Sequence, residues 1–182
     1  MTSLARRIDG QFKKVLKDNN NYYTCCIDLD NPLVWYVLIK NLPEPYIDGE
    51  YYFKLKLPKD FPDNPPEFEA LTPNGLILLG GNVCVSIGIY HRNDHSRSSS
   101  RGHFGWQPCL GISGFILQGI INALLSFGDS DHGVRLNNMS DVVKKELAKK
   151  SKDYNSEKNK EVKDLFRIHR EMFSDLNVWK ES

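Results

Sequence analysis

A chain of 182 residues, 40% hydrophobic and 26% charged, has the length and composition of one globular domain with a sizeable core. Its formal net charge of +1 gives no global reason to expect nucleic acid or an anionic membrane as the main partner. The four cysteines, Cys25, Cys26, Cys84 and Cys109, form no CxxC pair and two of them are adjacent, which argues against a disulfide framework and for a reducing compartment.

Taken in order, residues 3–17 read as an amphipathic helix. Leu4, Ile8, Phe12, Val15 and Leu16 fall on one stripe, Arg6, Arg7, Lys13, Lys14 and Lys17 lie off it, and Thr2 or Ser3 is placed to cap the start. Asn19 to Asn21 break the helix. Three strand-like runs follow: Tyr22 to Leu29, Leu33 to Ile39 and Tyr51 to Leu57, separated by Asp30-Asn31-Pro32 and by a turn at Asp48-Gly49. The third alternates with period two, Tyr51, Phe53, Leu55 and Leu57 against Tyr52, Lys54 and Lys56, which predicts a half-buried antiparallel strand. Pro58, Pro62, Pro65 and Pro66 force an irregular path, and Glu67 to Leu71 forms a fourth strand. Ile112, Phe115, Ile116, Ile120, Ala123, Leu124 and Phe127 mark a buried helix, followed by amphipathic helices over 139–152 and 160–173. The expected class is α+β: an N-terminal helix, a four-stranded antiparallel meander, a cysteine-bearing irregular loop, a buried central helix and two C-terminal helices.

No apolar core of a signal peptide opens the chain. The most apolar window, Ile112 to Phe127, is 16 residues long and carries Ser113, Gln118 and Asn122, so it reads as too short and too polar to span a bilayer. No internal repeat is visible, and Ser96 to Arg101 is the one low-complexity patch. The reading is one domain over 1–174 with a tail over 175–182.

Three constellations carry chemistry. A zinc site would draw on His91, His95, His103, Cys84 and Cys109, but their spacings fit no compact ligand pair on one element, so no metal is expected. A Cys–His dyad would pair Cys84 with one of five histidines, and nothing selects which. The third follows the order of features. The turn Thr72-Pro73-Asn74-Gly75 is succeeded by Cys84, ten residues after Asn74, then by a segment rich in Ser, His and Arg closed by Gly105-Trp106-Gln107-Pro108. A thiol past a rigid turn, with an amide side chain upstream, suits a nucleophile serving a bulky acyl group.

In this order the motifs resemble those of ubiquitin-conjugating enzymes, over about residues 3–173. Tyr46-Ile47-Asp48-Gly49-Glu50-Tyr51-Tyr52-Phe53 resembles the family's Y-x-G-G-x-(F/Y) run before its third strand. Pro58-Lys59-Asp60-Phe61-Pro62-Asp63-Asn64-Pro65-Pro66 is similar to its P-x-x-Y-P-x-x-P-P loop, and Trp106-Gln107-Pro108 to the W-x-P after its active cysteine. Thr72-Pro73-Asn74-Gly75, its spacing to Cys84, and Ser151, Asn155 and Leu165-Phe166 in the C-terminal helices resemble the endoplasmic-reticulum-associated branch.

The resemblance implies a cysteine acyl carrier without a cofactor. Cys84 takes ubiquitin as a thioester from an activating enzyme and passes it to a substrate lysine with a ligase, of RING type. Asn74 either donates to the oxyanion or holds the loop that shapes the site. Arg6, Arg7, Phe61, Pro62, Asp63 and Pro108 make the surface shared by activating enzyme and ligases. An acidic residue after the buried helix positions the lysine in many members; the candidates here are Asp129, Asp131 and His132. The protein is expected to be a monomer in the cytoplasm, or on the cytosolic face of the endoplasmic reticulum if a C-terminal anchor has been removed, with no nucleic-acid partner and no membrane span in this chain. The alternative is a catalytically inactive variant of the same fold that binds ubiquitin as a scaffold.

Three departures from the family pattern stand out. Thr72 replaces the motif histidine. Asp63 stands where many members carry an aromatic that seats a ligase, and a charge is costly to bury in an apolar groove. The segment His91 to His103 occupies the position of an insertion that is often acidic, yet holds three Arg and three His against one Asp. It reads as a solvated loop, or as a cover over the thioester or a site for an acidic partner.

Overall fold

The computed structural model describes residues 3–18, 20–85, 87–88, 105–128 and 133–173. Its elements are α1 (Ser3–Lys17), β1 (Tyr23–Ile27), β2 (Val34–Ile39), β3 (Tyr51–Lys56), β4 (Glu67–Ala70), the composite helix α2 (Pro108–Ser126), α3 (Asp141–Lys158) and α4 (Lys160–Met172). The strands form one antiparallel meander in the order β1-β2-β3-β4, with Cys25 opposite Val37, Val37 opposite Phe53, and Phe53 opposite Ala70.

Period two decides which side chains face inward. Cys25, Val37, Phe53 and Ala70 share one face with Trp35, Ile39, Tyr51, Leu55 and Phe68, and all are buried under α1 and α2. The apolar stripe of α1 supplies Ile8, Phe12, Val15 and Leu16 to that core, and Phe12 meets Trp35 edge-to-face with centroids 5.6 Å apart. Gln11 fixes α1 against the start of α2 by accepting from the Ile112 amide at 3.1 Å.

The opposite face of the sheet is covered as well. Phe166 of α4 stacks on Tyr52 at 5.4 Å, and these two with Cys26 form a second buried cluster flanked by Tyr36, Leu38, Val162 and Leu165. The half-buried expectation for β3 therefore holds only for Lys54 and Lys56, both ion-paired to Glu69 across the β3–β4 edge; Tyr52 is buried because α4 returns over it.

Helix α2 is longer than the sequence window suggested. It opens with a tight turn at Pro108–Leu110, and its middle, Phe115–Ile121, is wound more widely than an α-helix. Over Pro108–Ser126 it is long and apolar enough to cross a membrane by length and composition, which corrects the reading from Ile112–Phe127. Packing accounts for that apolarity: Ile112, Phe115, Ile116 and Ile120 are fully buried, Phe115 lying edge-on to Phe68 at 5.7 Å and to Trp106 at 6.0 Å.

Candidate functional site

The described half of the cysteine segment is an irregular run held by hydrogen bonds to residues that follow α2. The Met139 amide donates to Gly75 O (2.8 Å), Asn137 to Leu76 O (2.7 Å), Leu78 to Arg135 O (3.0 Å) and Cys84 to Val134 O (3.1 Å). Residues 75–84 thus lie beside residues 133–139 as a ragged two-strand ladder, with Ile77 bridged to Leu136. Arg135, left-handed at φ 64°, reinforces it by donating from its guanidinium to Leu79 O and packing over Gly81. Cys84 is half-buried between the buried side chains of Val83 and Val85, and none of the four cysteines is in a disulfide. The thiol-bearing backbone is therefore held along residues 75–84 by the segment 133–139.

Upstream, Asn74 is 1% exposed and uses its whole amide inside the turn. Its Oδ1 accepts from the Leu76 (3.0 Å) and Ile77 (2.7 Å) amides, and its Nδ2 donates to Thr72 O (3.1 Å) and Ile77 O (3.2 Å). Both amide hydrogens are committed, so in this conformation Asn74 braces the turn, and it can serve an oxyanion only by releasing one of those bonds. Gly75 at φ +82° completes the turn under α3; a Cβ there would stand 2.7 Å from Lys144 Cγ. Lys144 is itself buried, donating to Asn138 Oδ1 at 2.6 Å with its ammonium 5.8 Å from the centre of the Tyr46 ring.

Thr72 is fully buried and joined to the C-terminal helices. Its hydroxyl donates to Asn155 Oδ1 at 2.6 Å and accepts from the Tyr52 amide at 2.9 Å. Sequence reasoning noted Ser151 and Asn155 as branch-like but not what they hold. The signal was present: polar Ser151, Asn155 and Asn159 recur at helical spacing on the same stripe as buried Ala148.

The remaining candidates divide. Arg6 and Arg7 are exposed on α1, Asp63 and Pro108 are exposed, and Pro62 is half-buried. Gln11 on Ile112 and the Trp106 indole donating to Pro62 O (2.7 Å) tie α1, the Pro62 loop and the Pro108 turn to one another. Phe61 is the correction: it is fully buried with its ring 6.1 Å from that of Trp106, so its side chain props the loop from inside and offers no partner surface. Asp129, Asp131 and His132, the segment His91–His103 and the tail over 175–182 lie outside the described residues. Among the described residues no group of three His, Cys, Asp or Glu side chains is placed to hold a metal.

Comparison with known proteins gives a consistent result. A family model described as ubiquitin-conjugating enzyme matches residues 7–166. The chain is 31% identical over 153 residues to ubiquitin-conjugating enzyme E2 6 of Eremothecium gossypii, covering 83% of this chain and 57% of that protein. It is 30% identical over 157 residues to ubiquitin-conjugating enzyme E2 J2 of Mus musculus, covering 85% and 54%. The chain thus spans less than two thirds of the length of these curated relatives. Among solved structures, human ubiquitin-conjugating enzyme E2 G1 superposes with a TM-score of 0.52 at 22% identity, covering 68% of this chain and 96% of that one, a likeness of fold. With 160 residues matched, from Arg7 through Phe166, this chain belongs to the ubiquitin-conjugating enzyme family.

Proposed function

We propose that the chain accepts ubiquitin from an activating enzyme as a thioester on Cys84 and transfers it to a substrate lysine, working with a ligase of RING type. The observation that carries this reading is Cys84 itself: half-buried, its amide pinned to Val134 O, on a run locked to the Asn74 turn. A thiolate at Cys84 attacks the incoming thioester carbonyl, the tetrahedral oxyanion collapses, and the activating enzyme's thiolate leaves. One thioester replaces another, so the step is nearly isoenergetic and needs no cofactor. A lysine amine then attacks the Cys84 thioester; the Cys84 thiolate departs and the nitrogen loses its proton.

Asn74 supports this chemistry by keeping the loop in shape, since all its hydrogen-bonding capacity is spent within the turn. Asp131 and His132 position the acceptor lysine; they directly precede Gly133, where a Cβ would come within 3.4 Å of Cys84 O. The exposed faces of Arg6, Arg7, Asp63 and Pro108, with Pro62, form the surface for activating enzyme and ligase. The acidic Asp63 selects a ligase groove that is polar at that point. The protein acts as a monomer in the cytoplasm.

The test is a charging assay with activating enzyme, ATP and ubiquitin, resolved on gels with and without reductant. A reductant-sensitive adduct that is lost in Cys84→Ala supports the enzyme, and Cys84→Ser should trap a more stable oxyester. No adduct under conditions that charge another family member would favour the inactive ubiquitin-binding variant instead.

A further inference from the structure

Helix α3 and its C-cap carry a polar stripe, Ser151, Asn155 and Asn159 at i, i+4 and i+8, bonded to the residue before β3 and to Leu71 and Thr72 at the base of the Asn74 turn. Ser151 Oγ accepts from the Glu50 amide at 2.9 Å and donates to Ala148 O at 2.7 Å. Asn155 Nδ2 donates to Glu50 O at 2.8 Å, so both backbone groups of the residue that precedes β3 are taken by one helix face. Asn159 Nδ2 donates to Leu71 O at 3.1 Å and to Asn155 Oδ1 at 2.9 Å, and approaches Thr72 Oγ1 at 3.4 Å. Asn155 Oδ1 therefore holds both the Thr72 hydroxyl and the Asn159 amide.

The Thr72 hydroxyl has one hydrogen to give, and Asn155 takes it at 2.6 Å. That leaves its lone pair for the Tyr52 amide and fixes the residue whose carbonyl receives the Asn74 side chain at 3.1 Å. Asn74 then sets Leu76 and Ile77, which pair with residues 136 and 137, and the same following segment holds the Cys84 amide. Ser151, Thr72, Asn74 and Asn155 are each no more than 1% exposed, so water cannot substitute for a lost partner without the seam opening.

We propose that Asn155 is a positioning residue for acyl transfer at Cys84: through Thr72 it holds the Asn74 turn in register, so that the docking of α3 governs how well the thioester is discharged. Thr72 and Asn155 form a matched pair, the partner of the hydroxyl being supplied 83 residues later. The proposal rests on the acyl-transfer reading above.

The test uses single-turnover discharge of preformed Cys84 thioester to free lysine, followed per thioester so that the fraction of folded or chargeable protein drops out. Thr72→Val and Asn155→Leu, near-isosteric changes that remove the bond, should each slow saturating discharge by about tenfold while the lysine concentration for half-maximal rate stays unchanged. The double variant should be no slower than the slower single, because both act through one bond. Thr72→Ser, which keeps the hydroxyl, should restore the rate. Should the apolar replacements fail to fold, Asn155→Ser, which keeps an oxygen at the seam but cannot span it, serves as the second variant and should be slow as well. A per-thioester rate equal to that of the unsubstituted chain, with only the melting temperature lowered, overturns the positioning role and leaves the acyl-transfer reading standing. An unsubstituted chain that never charges overturns both.

Discussion

The amide of Cys84 donates to the carbonyl of Val134 at 3.1 Å, which places the thiol-bearing residue and the end of the loop after α2 on one hydrogen-bonded ladder. The ladder runs from Met139 on Gly75 to Val134 on Cys84, so the Asn74 turn and the cysteine are joined through backbone geometry.

Asn74→Ala leaves the buried amides of Leu76 and Ile77 and the carbonyls of Thr72 and Ile77 without that partner. With about 1–3 kcal/mol for each buried group left unsatisfied, the expected loss is about 3 kcal/mol or more. In a chain of this size that lowers the melting temperature by about 2–4 °C per kcal/mol, measured by calorimetry or circular dichroism. A melting temperature unchanged within a degree, with discharge slowed, would instead assign Asn74 to the oxyanion.

Gly75→Ala introduces a Cβ at φ +82° and 2.7 Å from Lys144 Cγ. Left-handed strain alone costs about 1–2 kcal/mol. The denaturation midpoint should fall accordingly with no change in slope, whereas Gly10→Ala on α1, where a Cβ meets nothing within 4 Å, should leave the midpoint unchanged or raise it.

Phe166→Ala removes the ring that stacks on Tyr52 and closes the second cluster over Cys26, which is fully buried. The expected cost is about 3 kcal/mol. Because the loss is local to α4, labelling of Cys26 by a thiol reagent, read by peptide mass, should accelerate well before global unfolding. Unchanged protection of Cys26 would mean that α4 stays docked without Phe166.

His169 links α4 to β1, its Nε2–H donating to Ile27 O at 2.8 Å, while its buried Nδ1 has no hydrogen-bond partner among the described residues. Burial lowers its pKa below the ordinary value of 6.5, against a smaller opposing effect of the Ile27 carbonyl. The unfolded chain therefore binds the proton more readily, and the docked neutral ring contributes stability that is present above pH 6.5 and lost as pH falls from there toward the folded pKa. Between pH 7.5 and 5.5, about one unit either side of the unperturbed histidine pKa, the melting temperature should drop more in the unsubstituted chain than in His169→Gln. Equal drops in the two proteins would remove His169 from the account.

Much of the fold was legible because its signals are local. Alternation over Tyr51–Leu57 found β3, the stripe Ile8, Phe12, Val15 and Leu16 found α1, and the apolar run after Pro108 found the buried helix. Boundaries shifted by a residue or two where strands end in turns. Tyr52 was misplaced because alternation reports one covered face, and the second cover comes from a helix more than a hundred residues away. Phe61 was misplaced because its loop sequence resembles a partner surface, while its ring fills the gap beside Trp106.

By itself the sequence determined the order and type of elements, the family, and the cysteine on which the chemistry is proposed to turn, since periodicity and motif spacing are written along the chain. Tertiary structure alone decided that Asn74 spends its amide on its own turn, that residues 133–139 hold the cysteine run, and that Thr72 is completed by Asn155. The reason is physical: a side-chain pattern can place Asn155 on a buried stripe, but which polar group it meets, 83 residues away in the chain, is decided only once packing has brought both out of water.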